Sequence, residues 1–289
     1  TEQKRVLLGH FIFWPAAASA AFGIFQSLFN LRFDGRWGPL LIRLGTEDGR
    51  ANSIFFHPNI LAGYLLLAIG IGFFLLERAQ TLRSRWLLGG GLGLIFVCLV
   101  LTQSRSAWIG AALAIAAIGA RAGRKVFLGI LAGTLAAVAL FFHSVLRRLG
   151  TLFSLDFFSN ANRLRAWKSA LRMISERPFF GFGPGTWGKV YPSFRDPLEL
   201  EHLPHAHNMY LHLGAEYGLI PLFCLLLVLF NEIRSGLKKE GAWPIACVLV
   251  GFLLLNLFEF VFSEGRNSIL FFAALALLPS PEKQQLGNG

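Results

Sequence analysis

The stretch that decides the fold is Asn59–Leu76, NILAGYLLLAIGIGFFLL, which contains no charged residue. A helix rises about 1.5 Å per residue, so this run can cross most of a hydrocarbon core roughly 30 Å thick. Seven more apolar runs bring the number of predicted spans to eight. In chain order the eight are Val6–Asn30, Asn59–Leu76, Trp86–Thr102, Ala107–Ala120, Val126–Phe142, Met209–Phe230, Ala242–Phe262 and Asn267–Leu278. The fourth and the eighth are short. The sequence therefore predicts an all-α polytopic membrane protein.

The composition supports this class. Of the 289 residues 54% are hydrophobic and only 15% are charged, whereas soluble domains carry about 25% charged residues. An ordinary soluble globule and a disordered chain are both excluded. A net charge of +11 would suggest nucleic acid as the partner of a soluble protein, but here most of the chain is committed to a bilayer, and no nucleic acid is expected.

Basic residues mark every second connection between the predicted spans, which predicts a cytoplasmic amino terminus and eight crossings by the positive-inside rule. The residues are Lys4, Arg5, Arg78, Arg83, Arg85, Arg121, Arg124, Lys125, Arg234, Lys238 and Lys239. The expected organisation is spans 1–5 in residues 1–142, a large outer loop in 143–208, spans 6–8 in 209–278 and a cytoplasmic tail in 279–289.

The outer loop carries nine basic and five acidic residues. Loops of this length can translocate regardless of charge, so the basic excess indicates an anionic ligand rather than an inverted topology. Within the loop, Asn162–Glu176 has apolar residues at helical spacing and is expected to lie along the membrane surface. Its apolar positions are Leu164, Trp167, Leu171 and Ile174.

Four polar side chains near the outer face could carry chemistry: His205, His207, Arg105 and Arg163. A histidine can act as a base near neutral pH, and an arginine beside hydrocarbon requires an anionic partner or a path to the interface. Simpler roles remain open: histidines that bind water and headgroups, Arg105 as a turn residue on lipid phosphates, and Arg163 as a cation over the Trp167 ring.

His57 and Asn59 open the second span, where Pro58 at the first turn also accounts for helix initiation. The glycine-rich residues 180–185 lack the Lys and Ser or Thr of a phosphate-binding loop. Three cysteines, Cys98, Cys224 and Cys247, lie in apolar runs without metal-ligand spacing. Neither a metal nor a cofactor is expected.

Four motifs, taken in order and spacing, resemble the O-antigen ligase and polymerase superfamily. They are FFHPNILAGYL (55–65), LTQSRSAW (101–108), NRLRAWKSALRMISERPFFGFGPGTW (162–187) and HAHNMYLHLGAEYGLIP (205–221). The similarity extends over about residues 52–262. Members of the superfamily have more spans than the eight counted here, and the chain does not begin with Met, which suggests that amino-terminal spans are missing.

The resemblance implies a glycosyltransferase of the bacterial inner membrane with a periplasmic active site. It would take a glycan from an undecaprenyl-diphosphate carrier and join it, with inversion and without a metal, to a hydroxyl of a glycan, lipid A core or protein acceptor. Residues matched to the family motifs give Arg105, Arg163 and His207 catalytic roles. Contacts to substrate are expected from His205, Arg165, Asn208, Glu216, His57 and Asn59.

Two other functions remain open. Some members of the superfamily have been described as solute or bicarbonate transporters, although transporter sites lie near the membrane midplane on broken helices. A basic lipid-binding scaffold would use the same arginines without requiring His207.

Overall fold

The computed structural model describes residues 2–31, 33–37, 40–44, 49–122, 158–195 and 203–278, with isolated helical positions between 128 and 150. The helices of the described ranges are α1 (Glu2–Phe29), α2 (Pro58–Arg78), α3 (Leu82–Leu101), α4 (Arg105–Ala122), α5 (Phe158–Glu176), α6 (Trp187–Val190), α7 (Met209–Tyr217), α8 (Leu219–Lys238), α9 (Trp243–Leu255) and α10 (Gly265–Ala276). Short 3-10 turns cover Tyr191–Ser193 and Val261–Ser263.

One antiparallel hairpin interrupts this helical chain. Strands β1 (Phe33–Trp37) and β2 (Leu40–Leu44) pair from Phe33 with Leu44 to Trp37 with Leu40. The all-α prediction did not include it, because two five-residue strands inside a connection give little periodic signal beside the long apolar runs. The all-α class otherwise holds for the described residues.

Helix α2 lies at the centre of the bundle. In the most apolar 18-residue stretch of α2, 83% of the residues are buried, against 17% in the corresponding stretch of α8. It packs against α1, α3, α9 and α10.

Helices α4 and α9 approach each other closely because both have a glycine at their crossing. A Cβ on Gly110 would lie 2.4 Å from the carbonyl oxygen of Gly251. Such small-residue contacts are typical of helices packed in membranes.

The helices of the described bundle alternate in direction. Helices α2, α4, α8 and α10 begin at one end, called the site end below, and α1, α3 and α9 finish there. At the opposite end, Arg78 pairs with Glu2 at 2.5 Å, and Arg121 donates to the carbonyl oxygen of Leu237 at 2.5 Å. The basic connections that were predicted to be cytoplasmic therefore share that end where the structure describes them.

Four helices of the described chain are long and apolar enough to cross a membrane: α1, α2, α3 and α8. Helices α9 and α10 have 13 and 12 residues, and α4 is not among the four. The predicted count of eight spans is therefore not confirmed. Only isolated helical positions of the predicted fifth span, Val126–Phe142, are described, and the tail 279–289 lies outside the described residues.

The predicted sixth span, Met209–Phe230, is wrong as a single helix. The chain breaks at Gly218, whose φ of 85° ends α7, and α8 starts at the next residue. A glycine adopts this left-handed conformation without a Cβ clash. Helix α7 then packs against α5 and α8, and only α8 is long enough to cross the membrane.

A second, smaller core lies beyond the bundle. It joins small residues of α5 to aromatic residues of α6 and its following turn, and its buried members are Ala166, Ala170, Met173, Trp187, Tyr191, Leu203, Ala206 and Ala215. Helix α5 starts four residues before the predicted Asn162. Its expected apolar face is only partly packed, since Leu164 and Leu171 are exposed. Its protein-facing side consists mainly of small side chains, which have a weak periodic signal, together with Met173.

Candidate active site

Five segments that are distant in the sequence meet at the site end. They are the residues before α2, the turn between α3 and α4, the start of α5, the residues before α7 and the link after α9. Because each segment lies at a helix terminus, side chains of the termini can converge there without entering the apolar core.

Glu259, in the link between α9 and α10, is the centre of this convergence. Its Oε1 accepts a hydrogen bond from the Asn59 amide at 2.6 Å and forms an ion pair with the Arg163 guanidinium. Its Oε2 lies 3.3 Å from Nδ1 of His207. These four residues, Asn59, Arg163, His207 and Glu259, are called the Glu259 cluster below.

The charge of Glu259 is stabilised by its partners. The residue is buried, with 4% exposure. Burial alone would raise the pKa of its carboxyl, but the hydrogen bond with His207 and the positive charge of Arg163 outweigh it and lower the pKa to about 2. Glu259 is therefore an anion at neutral pH, and its positive neighbours are held by a fixed negative charge.

His207 has an unusual backbone conformation. Its φ is 50°, in the left-handed region that costs a residue with a Cβ about 1 kcal/mol or more. Its N–H donates to Nδ1 of His205 at 3.2 Å, and the two rings lie edge to face with centroids 4.4 Å apart. Burial and the neighbouring His207 lower the pKa of His205 to about 3. His205 is thus neutral and can accept this bond, which holds the His207 backbone.

Two arginines from different helices lie beside α5, and one of them, Arg163, belongs to the Glu259 cluster. Arg163 pairs with Glu259, and its buried Nε has no hydrogen-bond partner among the described residues. Arg105, the first residue of α4, donates to Oδ1 of Asn160 at 2.9 Å. Asn160 and Arg163 are three residues apart on α5 and share a helix face. The structure thus brings Arg105 and Arg163 to the same side of α5.

A third arginine, Arg50, binds the side-chain amide of Asn59. Arg50 donates to Oδ1 of Asn59 at 3.0 Å and to the carbonyl oxygen of Thr102 at 2.8 Å. His57 caps α2 by accepting the Asn59 N–H at 3.2 Å, as expected from helix initiation. The contacts of His57 and Asn59 therefore fix the start of α2 beside Glu259, and their predicted binding of substrate stays a prediction.

The other predicted binding residues have structural contacts. Asn208 caps α7 and donates to the carbonyl oxygen of Leu257 at 2.9 Å. Glu216 accepts the N–H groups of Gly185 at 3.0 Å and Trp187 at 2.8 Å, which ties the glycine-rich turn to α7. Arg165 contacts Asn162 of its own helix. The structure does not bring these three side chains into the Glu259 cluster, and their substrate contacts stay predictions.

The sequence-based site omitted Glu259 and Arg50. Glu259 stands among apolar residues in the sequence NLFEFVF. A charged residue in an apolar run of a membrane protein is a signal for a functional residue. Arg50 carries no such signal, because it follows a polar connection. Among the described residues, no group of three or more His, Cys, Asp or Glu side chains is arranged to hold a metal ion.

Comparison with known proteins agrees with the motifs. The family model described as O-antigen ligase matches residues 90–226. A ComP-specific O-oligosaccharyltransferase of Acinetobacter baylyi is 25% identical over 230 residues, which cover 75% of this chain and 41% of the relative. The chain thus spans less than half the length of that relative. Together the two matches confirm the resemblance of this chain to the O-antigen ligase superfamily.

Proposed function

We propose that this chain carries the active site of a membrane glycosyltransferase that uses an undecaprenyl-diphosphate-linked glycan as its donor. The observation that carries the proposal is that Arg105 and Arg163 lie on one side of α5, while Arg163 and His207 contact the same carboxylate, that of Glu259. The family match supports glycan transfer of the O-antigen ligase type.

The arginines would act on the leaving diphosphate. As the bond between the anomeric carbon and the phosphate oxygen breaks, negative charge grows on the diphosphate. A guanidinium stays charged at any relevant pH and binds phosphate oxygens with two parallel donors. The buried Nε of Arg163 has no partner among the described residues, so an anion could satisfy a donor that is already desolvated. Fixed charges of this kind would make transfer independent of a divalent metal.

His207 would serve the acceptor. Its imidazole would take the proton from the acceptor hydroxyl while that oxygen attacks the anomeric carbon. The new glycosidic bond forms as undecaprenyl diphosphate leaves, so the anomeric configuration inverts in one displacement. A general base typically accelerates such a step about 10²- to 10⁴-fold. His205 is too weak a base for this role at neutral pH, because its pKa is lowered to about 3.

The acceptor is a glycan, lipid A core or a protein. The Acinetobacter relative is named as a ComP-specific O-oligosaccharyltransferase. Residues that bind the donor do not distinguish these acceptors, so ligase, polymerase and protein-glycosylating activities share the same proposed site.

We place the site end at the periplasmic face of the bacterial inner membrane. The basic residues Arg5, Arg78 and Arg121 lie at the opposite end of the bundle, where the positive-inside rule expects the cytoplasm. The undecaprenyl chain would remain in the bilayer while its diphosphate reaches the helix termini. Transport of a solute such as bicarbonate is the alternative function. It is favoured less, because the polar cluster lies at helix ends instead of the midplane of broken helices.

The test is transfer in a reconstituted system. The protein that contains this chain is placed in liposomes with an undecaprenyl-diphosphate-linked glycan, candidate acceptors and EDTA, and loss of donor is followed together with product. We expect turnover by the wild type and a decrease of about 10²-fold or more for His207→Ala. His10→Ala, on α1, is the matched control and should keep full activity.

An intact donor with every acceptor would overturn the glycosyltransferase proposal and favour transport. Full activity of His207→Ala would instead remove the histidine from the mechanism and leave glycan transfer in place.

A further inference from the structure

We propose that Glu259 is a positioning residue that holds His207 in the tautomer with the proton on Nδ1, so that Nε2 faces the reaction as the base. This inference rests on the proposed function for its catalytic meaning. Its physical basis is the geometry of the Glu259 cluster, and the tautomer of His207 can be measured without any substrate.

The two oxygens of Glu259 have separate partners. Oε1 accepts from the Asn59 amide and from the Arg163 guanidinium, both of which are donors only at the contacting atoms. Oε2 faces Nδ1 of His207 at 3.3 Å. Because the carboxylate is ionised and can only accept, the contact to His207 is favourable only when Nδ1 carries a proton. A neutral His207 then has its lone pair on Nε2.

The orientation of the carboxylate is itself fixed. Asn59 lies between Glu259 and Arg50, since its amide nitrogen donates to Glu259 and its amide oxygen accepts from Arg50. Arg50 is tied in turn to the carbonyl oxygen of Thr102. The polar chain thus runs from the end of α3 through the start of α2 to Glu259, and it keeps Oε2 available for His207. Supporting shells of this kind commonly fix the orientation of a reactive histidine.

The left-handed backbone of His207 adds a second constraint. His205 accepts the His207 N–H, while Glu259 contacts the ring. His207 is therefore held at two points, at its backbone N–H and at its imidazole ring. A general base must lie within hydrogen-bond reach of the proton that it abstracts, and a base held at two points loses little orientational freedom when the acceptor arrives.

Glu259→Gln removes the charge and also changes the partner of Nδ1, so the tautomer of His207 is the readout that separates positioning from charge compensation. A glutamine has the same shape, and its Oε1 can still accept from Asn59 and Arg163. Its amide nitrogen would then face His207 as a donor, and Nδ1 would have to become the acceptor. The proton of the neutral ring would move to Nε2, which is then unable to act as the base.

The tautomer is measured by solid-state NMR of protein labelled with ¹⁵N-histidine, in liposomes and without substrate, at a pH where His207 is neutral. The His207 signals are identified by their loss in His207→Gln. We expect a protonated Nδ1 and an unprotonated Nε2 in the wild type, and the reverse in Glu259→Gln. Glu264→Gln, which removes a nearby carboxylate paired with Arg266, should leave the wild-type tautomer unchanged.

Transfer activity gives the second readout. We expect the maximal rate of Glu259→Gln to decrease by about 10²-fold or more, with full activity of Glu264→Gln. The same tautomer in wild type and Glu259→Gln, or an Nε2-protonated ring in the wild type, would overturn the positioning role. If the tautomers behave as expected but the wild type transfers no glycan, the proposed function fails and the positioning role stands.

Discussion

At the scale of single residues, the site balances positive against negative charge at helix termini. Arg163 would be costly beside the apolar core if it stood alone. Glu259 compensates that charge, and within the described part of the chain the buried Nε of the guanidinium has no hydrogen-bond partner. This combination suits a ligand that is itself an anion, because binding would add a hydrogen-bond acceptor without removing the existing ion pair.

Replacement of Arg163 by lysine tests whether planar donors are required. Lysine keeps the charge but provides one ammonium group instead of a fork of donors. We expect Arg163→Lys to lower the rate of donor consumption by about 10²-fold, the typical loss for one donor aimed at developing charge. Arg172→Lys is the matched control, since Arg172 is exposed on the same helix, and it should be fully active. Near-normal turnover of Arg163→Lys would contradict two-point binding of the diphosphate.

The sequence predicted part of this site. Arg105, Arg163 and His207 were found by matching them to family motifs, and Asn59 by its place at the start of a span. Glu259 could not be assigned, because its partners Asn59, Arg163 and His207 are 200, 96 and 52 residues away in the chain. A single acid in an apolar run indicates that a partner exists, but only the folded chain identifies which one.

At the scale of elements, the junction of α7 and α8 joins the site to the membrane bundle. Gly218 has a φ of 85°, and a Cβ at this position would lie 2.2 Å from the carbonyl oxygen of Phe179. The neighbouring Leu219 donates its N–H to the carbonyl oxygen of Pro178 at 2.7 Å. The chain after α5 therefore packs directly on this break, and hydropathy alone could not locate it, because both sides of Gly218 are apolar.

Gly218→Ala should destabilise this junction. The substitution adds a steric clash to a backbone conformation that costs a residue with a Cβ about 1–3 kcal/mol. We expect a lower midpoint of thermal unfolding in detergent. Gly188→Ala is the control, because a Cβ at Gly188 meets open space, and its midpoint should match the wild type. Equal midpoints for both variants would show that the junction tolerates a side chain.

At the scale of the whole molecule, alternation of apolar runs and basic connections predicted the antiparallel order of the helices. The uncharged apolar runs predicted the positions of α1, α2 and α3 closely. Helix α2 is buried, as its continuous apolar sequence suggests. The number of crossings was less predictable. Helix α9 ends at Leu255 instead of the predicted Phe262, because the turn that carries Glu259 replaces the end of that span. Helix α10 has 12 residues, as short as predicted and well below the roughly 20 residues of a typical span.

The orientation of the bundle can be tested with single cysteines. The native Cys98, Cys224 and Cys247 are replaced by alanine, and Lys189→Cys or Gln80→Cys is then added. Both positions are exposed, but Lys189 lies in α6 beside the site, whereas Gln80 lies between α2 and α3 at the opposite end. We expect a membrane-impermeant maleimide to label Lys189→Cys in intact spheroplasts and Gln80→Cys only after lysis. The opposite pattern would place the Glu259 cluster in the cytoplasm, where a donor displayed on the outer leaflet could not reach it, and the proposed reaction would have no substrate at that face.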